Sequence, residues 1–390
     1  DSLPRGPTQS YDPPFGLSPA RCQPGDVDAE GKVEAWQRDY VARREAVEQT
    51  WKDYFGVVTN WEEYNRTRNR FVYPGEEDAV LDVDSVSPGG VDAAALLSKL
   101  RGKRGLELVR GGVPMCMRPL VWSTCLGIEA SKAQYGDYYS VCKWQLSLHN
   151  TRSYRDIIKD VRRTMQYYAL YQTEHGLGML CNILCCASFR HAYQGYCQSL
   201  NIITGMLLLF LNEENTFWAL DKLLTCMPKD YYSPSMIDIK CDIQVLCVFL
   251  TKRLPQLANH FKVHDIDLTG VCVSWLLCLY VDILPWETML RVWDVFFCEQ
   301  HTNVLLSVAL AILHHLQPQL LALDNTSDLL ICLMNEPSTL VDCNALLTTA
   351  FEKTCFISAD MVDKWRGKLR TQLEQEYLQT VKFVSSTNKS

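Results

Sequence analysis

The stretch Ile157-Ile158-Lys159-Asp160-Val161-Arg162-Arg163-Thr164 shows the pattern that decides the fold class. Ile157 and Val161, followed by Met165 and Tyr168, recur every three or four residues, which is the spacing of one buried face of an α-helix. From Ala93 onward similar patterns dominate, and the strict alternation that is typical of strands is absent. We therefore predict an all-α protein.

Other segments extend this prediction toward both ends of the chain. The apolar runs Ile202–Leu211 and Val271–Val281 are predicted core helices, because each is much shorter than the ~20 residues that cross a bilayer. An amphipathic helix with an aromatic stripe is predicted at 32–54. A last helix is predicted near 360–383, with an apolar i, i+4 stripe formed by Met361, Trp365, Leu369, Leu373, Tyr377 and Val381. The Pro-rich first 30 residues are predicted to be disordered or draped over the surface.

Composition excludes several classes of protein. The chain has 390 residues, of which 47% are hydrophobic and 21% charged, as in an ordinary globular protein. Its net charge of −7 argues against a broad surface for nucleic acid. The 17 Cys include no CxxC pair, so we expect reduced thiols in a cytoplasmic protein rather than a disulfide framework or a zinc site.

Common catalytic motifs are missing from the sequence. Arg101-Gly102-Lys103-Arg104-Gly105 lacks the spacing of a phosphate-binding loop, and neither GxSxG nor HExxH occurs. His314 and His315 are adjacent on a predicted helix and so point in different directions, which makes a shared metal improbable. We therefore expect no hydrolase site, no metal and no cofactor from these motifs.

The predicted helix around Asp160 has a basic outer side. Arg163 points away from the buried stripe, and Arg155, Lys159 and Arg162 share its side. Asp160 lies three residues before Arg163, where a carboxylate can hold a guanidinium in one rotamer. Helical periodicity does not choose between Arg162 and Arg163 as a functional residue. The alternative interpretation is a solvated face with a weak surface ion pair.

Two more segments carry candidate residues. Arg118 and Trp122 lie four residues apart on one helical face, where the guanidinium can contact the indole or an acid of the next turn. Gln198 precedes the run Ile202–Leu211 and could orient a water through its amide. Ser199 or Asn201 could cap that helix, and simple capping is the alternative interpretation of the whole turn.

Together these segments resemble the signature motifs of the TBC domain, the helical family of GTPase-activating proteins for Rab GTPases. Arg118–Trp122 matches the family's RxxxW motif, Ile157–Arg163 matches IxxDxxR, and Tyr196–Gln198 matches YxQ. Leu284–Phe297 resembles the family's LPxxxxLRxWDxFF helix. The resemblance covers about Gly105 to Tyr377 in the family's order and spacing.

The resemblance implies a V-shaped multi-helix bundle with two helical subdomains. We expect these at 105–228 and 229–383, after an amino-terminal extension at 32–104 that contains the amphipathic helix and an acidic linker at 73–92. Residues 1–31 and 384–390 are expected to be tails.

The resemblance also implies a mechanism with two catalytic residues given to the partner. Arg163 would be the arginine finger, which stabilises charge on the transferred phosphoryl group, and Gln198 would be the glutamine finger, which orients the attacking water. The supporting residues that the resemblance implies are Asp160, Tyr196 and Asn201 near the fingers, Arg118 and Trp122 as helix braces, and Arg291, Trp293 and Asp294 as structural residues.

The implied partner is a GTP-bound Rab GTPase, which regulates vesicle trafficking and brings its own GTP and magnesium. The protein would then be an activator without a cofactor and without independent enzymatic activity. It would be cytoplasmic, with no integral membrane segment, and peripheral on endomembranes through the GTPase.

The sequence departs from the family's pattern in four places, one of which is a pair of adjacent residues. Ser199 replaces the usual Gly, which we expect to add a side chain where the GTPase backbone approaches. Met165-Gln166 replaces Phe-Pro, so we expect the helix of Arg163 to continue past it. Pro119 and Gln300 also stand where Gly is common. Ser199 and the lost Phe-Pro motivate an alternative function, a TBC-like module that binds a Rab without accelerating hydrolysis. An unrelated helical scaffold is the third hypothesis.

Overall fold

The computed structural model describes residues 46–47, 49–51, 93–148 and 153–387, and every regular element within these residues is a helix. This confirms the all-α prediction. In chain order, the seventeen α-helices found between residues 93 and 387 are α1 (Ala93–Arg101), α2 (Lys103–Gly111), α3 (Arg118–Leu126), α4 (Ile128–Tyr135), α5 (Tyr138–Leu148), α6 (Tyr154–Val161), α7 (Glu174–Arg190), α8 (Leu200–Leu208), α9 (Glu213–Cys226), α10 (Ile237–Arg253), α11 (Pro255–Val263), α12 (Leu268–Leu277), α13 (Trp286–Glu299), α14 (Asn303–Leu321), α15 (Thr326–Asn335), α16 (Cys343–Phe351) and α17 (Ala359–Thr387). Single-turn 3-10 helices lie at Met115–Met117, Ala169–Gln172 and Glu336–Thr339.

Helix α14 is a central element of the hydrophobic core. It packs against α10, α13 and α16, and its residues from Asn303 to Leu313 are all buried. By length and composition alone α14 could span a membrane, and it is the one such helix found in the described residues. Its burial by the surrounding helices instead matches the core helix of a globular protein. The predicted core helices at 202–211 and 271–281 are confirmed as α8 and α12, with carboxyl ends at Leu208 and Leu277.

The amino-terminal amphipathic helix is described only at residues 46–47 and 49–51, which are helical. Trp51 is buried, and its indole Nε1 donates a hydrogen bond of 2.7 Å to the carbonyl oxygen of Gly112. The described residues of this segment therefore pack on the bundle through Trp51. The remainder of 32–54, the first 30 residues and the acidic segment at 73–92 lie outside the described residues.

The last predicted helix is confirmed as α17, which packs along α10. Arg366 on α17 donates to the fully buried carboxylate of Asp242 on α10 at 2.7 and 3.0 Å. The predicted stripe is wrong at its first position, since Met361 is exposed and Val362 is buried in its place. The buried face of α17 is therefore displaced by one residue from the predicted stripe at the start of the helix.

The predicted division of the chain into subdomains stays a prediction. The boundary between residues 104 and 105 falls within α2, and the boundary between 228 and 229 falls between α9 and α10. Buried apolar residues on both sides of the second boundary belong to one continuous core.

Helices α3 and α13 are joined by a buried ionic cluster. Arg118 is fully buried and donates Nη2 to Glu287 at 2.7 Å and Nε to both oxygens of Asp294 at 3.1 and 3.2 Å. Trp122 donates its Nε1 to the same Asp294 carboxylate at 2.8 Å. The expected contact with the indole or with an acid of the next turn is therefore wrong, because the acids come from a helix about 170 residues later in the chain.

Burial and the neighbouring charges shift the pKa values of Arg118 and Asp294 in this cluster. Burial alone would lower the pKa of Arg118, but Asp294 and Glu287 raise it above its ordinary value, so the guanidinium stays charged. Burial raises the pKa of Asp294 to about 6, although Arg118 and Trp122 oppose that rise. Each charge is tolerated in the core only because its partners are present.

We predict that Arg118→Met destabilises the protein by about 3–5 kcal/mol, because it leaves two acids without their cation in the core. Urea unfolding measures this loss. Arg162→Met is the matched control, since Arg162 is exposed and its loss should cost less than about 0.5 kcal/mol. A loss below about 1 kcal/mol for Arg118→Met would contradict this account of the cluster.

Candidate functional site

Helix α6 ends at Val161, before the two candidate arginines. The backbone then closes i→i+3 turns, in which Arg163 N–H donates to Asp160 O and Thr164 N–H donates to Val161 O. Met165 follows in the left-handed region with φ of 45°. The expectation that this helix continues past Met165-Gln166 is therefore wrong.

The turn after α6 packs closely on α8. The Thr164 hydroxyl donates to Asp160 O at 2.7 Å, and Met165 is buried. A Cβ added at Gly205 on α8 would lie 3.1 Å from the Met165 sulfur and 3.2 Å from the Thr164 methyl. The absence of a side chain at Gly205 permits this close approach. Because Met165 is buried against α8, the backbone there leaves the helical conformation. Met165 thus joins the predicted buried stripe without being helical.

Arg163 is exposed and is held by Asp160. Its Nε and Nη2 donate to Asp160 Oδ1 at 3.0 and 2.6 Å, while 58% of the Arg163 side chain remains accessible. Its third nitrogen, Nη1, has no hydrogen-bond partner among the described residues. The predicted i, i+3 pairing is confirmed, and among the described residues Arg162 has no comparable carboxylate to orient it.

The second oxygen of Asp160 binds the other candidate segment. Tyr196 donates its hydroxyl to Asp160 Oδ2 at 2.7 Å. Burial, together with the adjacent carboxylate of Asp160, raises the pKa of Tyr196 above its ordinary value, so the phenol stays protonated as a donor. One buried carboxylate therefore joins the turn of Arg163 to the turn of Gln198.

Asn201 makes a second connection between the same two turns. Its Nδ2 donates to Thr164 Oγ1 at 2.8 Å, and its Oδ1 accepts from the Ser199 N–H at 3.2 Å and from the Tyr196 hydroxyl at 3.3 Å. Asn201 is the second residue of α8, and its side chain therefore stabilises the start of that helix. We call Asp160, Arg163, Thr164, Tyr196 and Asn201 the Asp160 network.

Gln198 is exposed between two members of the Asp160 network, Tyr196 and Asn201. Gln198 and Arg163 line one surface cleft with a volume of about 320 Å³. The structure thus brings together two candidate residues that are 35 positions apart. The other residues that line the cleft are Thr164, Met165, Gln166, Tyr167, Asn201, Ile202 and Asp282.

Comparisons with known proteins identify the family of this chain. Residues 115–321 match the family model of the Rab-GTPase-TBC domain. Growth hormone-regulated TBC protein 1 from Homo sapiens is 33% identical over 281 residues, which is 70% of this chain and 82% of that protein. The Xenopus tropicalis protein of the same name is 30% identical over 73% of this chain and 83% of its own length.

This chain belongs to the Rab-GTPase-TBC domain family. Among solved structures, the Chlamydomonas flagellar RabGAP TBC domain superimposes with a TM-score of 0.60 and 25% identity, over 80% of this chain and 94% of that one. The Ypt/Rab-GAP domain of Gyp1p shares the fold with a TM-score of 0.54 and 23% identity, over 67% of this chain and 98% of that domain.

The remaining motif residues of this TBC domain lie inside the bundle. Trp293 is fully buried and donates Nε1 to Leu279 O at 2.8 Å. Arg291 is buried, donates to Arg110 O at 2.6 Å and lies against Gly112, where an added Cβ would meet the guanidinium at 3.0 Å. Like Arg118, Trp122 and Asp294, these residues do not line the cleft. Their positions are consistent with the structural roles predicted for them.

The structural consequence of having Ser199 in place of glycine differs from the expected one. Its side chain is buried, so it does not project toward a docking partner, and its φ of 119° lies in the region that favours glycine. Ser199 occupies the position before α8 but makes no capping hydrogen bond through its hydroxyl. Gln300 likewise ends α13 with φ of 54°. At both positions the cost of replacing glycine is backbone strain.

Several residues of the cleft wall are not predictable from sequence motifs, and Tyr167 and Asp282 are two of those that carry polar groups. Tyr167 is 72% exposed, and Asp282 lies in the loop before the Leu284-Pro285 motif. Neither belongs to a motif, and only the fold brings the two loops together. Thr164 was also missed, although it directly follows Arg163.

We predict that Ser199→Gly raises the free energy of unfolding by up to about 1 kcal/mol, because glycine relieves the strained φ and loses only part of this gain in chain entropy. Urea unfolding measures the change. Ser131→Gly, inside α4, is the matched control and should lower stability by about 0.5–1 kcal/mol. Destabilisation by Ser199→Gly would show that the serine side chain is needed there.

We predict that Asn201→Ala lowers the free energy of unfolding by about 1–3 kcal/mol, since it leaves the buried Ser199 N–H without its acceptor and removes the amide that donates to Thr164. The measurement is the urea-unfolding curve. Gln166→Ala is the control, because the Gln166 amide bonds to Arg162 O at the exposed surface. Equal small losses for both variants would argue against the second connection between the turns.

Proposed function

We propose that this TBC domain is a GTPase-activating protein for a Rab-family GTPase in its GTP-bound form. The observation that carries the proposal is the single cleft that presents Arg163 and Gln198 together, with both turns tied to one carboxylate. The family match and the printed names of the related RabGAP domains support a Rab as the partner.

Arg163 would act on the charge of the transition state. Hydrolysis of GTP spreads negative charge over the transferred phosphoryl oxygens and the leaving oxygen, and a guanidinium inserted by a second protein stabilises that charge. Asp160 binds Nε and Nη2 of the exposed Arg163 side chain, and Nη1 has no hydrogen-bond partner among the described residues. A guanidinium held in one rotamer loses less conformational entropy when it docks.

Gln198 would position the attacking water. A carboxamide both donates and accepts hydrogen bonds without adding charge, so it can hold a water against the phosphoryl group. The side chain of Gln198 is exposed, while the backbone beside it is fixed through Tyr196 and through the Ser199 N–H that binds Asn201. An exposed side chain on a fixed backbone suits the role proposed for Gln198, which is to enter the active site of another protein.

In this proposal the GTPase supplies the nucleotide and magnesium, so the TBC domain acts as an activator without a cofactor of its own. It would regulate vesicle trafficking from the cytoplasm, with membrane contact through the lipidated GTPase. The competing proposal is a module that binds a Rab without accelerating hydrolysis. The buried position of the Ser199 side chain removes one reason for that alternative, since it places no new atom on the cleft surface.

We predict that wild-type protein accelerates single-turnover GTP hydrolysis by at least one member of a Rab panel. Arg163→Ala should reduce the stimulated rate by ~10³-fold or more. Gln198→Ala should also reduce the rate strongly, because it removes the amide that orients the attacking water. Phosphate release measures both rates.

Arg162→Ala is the matched control, because it removes a neighbouring exposed cation that lacks the orienting carboxylate. It should retain most of the activity. If Arg162→Ala abolishes stimulation and Arg163→Ala does not, the assignment of the arginine finger is wrong. If wild-type protein binds a GTP-loaded Rab but accelerates none, the binding-module function replaces this proposal.

A further inference from the structure

Asp282 and Tyr167 form a part of the cleft wall that the finger mechanism does not use. The Tyr167 hydroxyl donates to Asp282 Oδ1 at 3.4 Å, a long hydrogen bond. Both residues line the same cleft as Arg163 and Gln198, and 72% of the Tyr167 surface is exposed. They therefore lie where a protein that reaches the fingers must also make contact.

The loop that carries Asp282 is rigidly held. Leu279, Tyr280 and Asp282 all have positive φ, at 50°, 67° and 62°. Trp293 Nε1 donates to Leu279 O at 2.8 Å, and the buried Tyr280 hydroxyl donates to Leu305 O at 2.6 Å. These bonds to α13 and α14 fix the loop on the core, so Asp282 presents its carboxylate at a defined position.

Asp282 has no cationic partner among the described residues. Asp282 is exposed, but the surrounding protein removes part of its water and thereby raises its pKa above the ordinary value, while the hydrogen bond from Tyr167 opposes that rise. The buried carboxylate of Asp160, which does not line the cleft, is by contrast satisfied by Arg163 and Tyr196. A carboxylate in this environment becomes more costly when a docking protein removes its remaining water.

We propose that Asp282, supported by Tyr167, is a specificity-determining residue that receives a Lys or Arg side chain of the GTPase. This inference rests on the proposed function. A GTPase with a cation opposite Asp282 compensates the carboxylate on docking, and a GTPase without one leaves the carboxylate desolvated and unpaired. The same residue thus attracts one set of partners and rejects another.

The contact would act on docking and leave the chemical step unchanged. Asp282 faces the GTPase surface, whereas Arg163 and Gln198 supply the groups for phosphoryl transfer. Loss of the Asp282 charge should therefore change KM and leave kcat nearly constant. Because the interaction is ionic and near the surface, it should weaken as salt concentration rises.

The test is Asp282→Asn in a steady-state assay across the Rab panel. Asn fits the left-handed backbone of position 282 as well as Asp does, so the fold should be kept. We expect kcat/KM to fall about tenfold for the preferred GTPase, through KM, and to stay constant or rise for poor substrates. The slope of KM against salt should also flatten for the preferred GTPase. Tyr167→Phe, at an exposed position, should shift KM in the same direction by a smaller factor.

Asp137→Asn is the matched control, since Asp137 is an exposed carboxylate outside the cleft, and it should change no GTPase. If Asp282→Asn lowers kcat/KM by one common factor for every GTPase, or changes none of them, the specificity role is wrong while the activator function stands. If wild-type protein stimulates no GTPase, the proposed function itself fails and this inference fails with it.

Discussion

The carboxylate of Asp160 is the interaction on which the candidate site depends. Its Oδ1 holds the Arg163 guanidinium and its Oδ2 accepts the Tyr196 hydroxyl, so one side chain joins two turns that are more than 30 residues apart. Thr164 and Asn201 close a second path between the same turns. In the proposed mechanism Arg163 and Gln198 enter another protein together, and a common support lowers the entropy that two independent loops would each lose on docking.

The bundle positions this network through contacts far from the cleft. Gly205 lets the turn of Arg163 approach α8, and α8 begins at the turn of Gln198. The buried cluster around Arg118 joins α3 to α13 through Glu287 and Asp294. The loop of Asp282 is held against α13 by the hydrogen bond from Trp293 Nε1 to Leu279 O. The family motifs therefore include residues of two kinds. Arg163 and Gln198 line the cleft, whereas Arg118, Trp122, Trp293 and Asp294 are buried in the core.

Helical periodicity was sufficient for the fold class and for the core helices α8 and α12, because a buried face needs apolar residues every three or four positions. The i, i+3 pair of Asp160 and Arg163 was predictable for the same local reason. Periodicity did not predict the end of α6, which depends on Met165 burying itself against Gly205 on another helix. The partners of Arg118 and the contact between Tyr167 and Asp282 could not be predicted from the sequence either, because they join residues more than 100 positions apart in the chain.

The measurement that tests the account most directly is a crystal structure of the protein bound to a Rab loaded with GDP and aluminium fluoride, which resembles the transferred phosphoryl group. The account predicts that Arg163 stays on Asp160 through Nε or Nη2 while another guanidinium nitrogen contacts the fluoride, with the Gln198 amide on the attacking water. A complex in which Arg162 reaches the nucleotide, or in which the Rab docks away from this cleft, would contradict it.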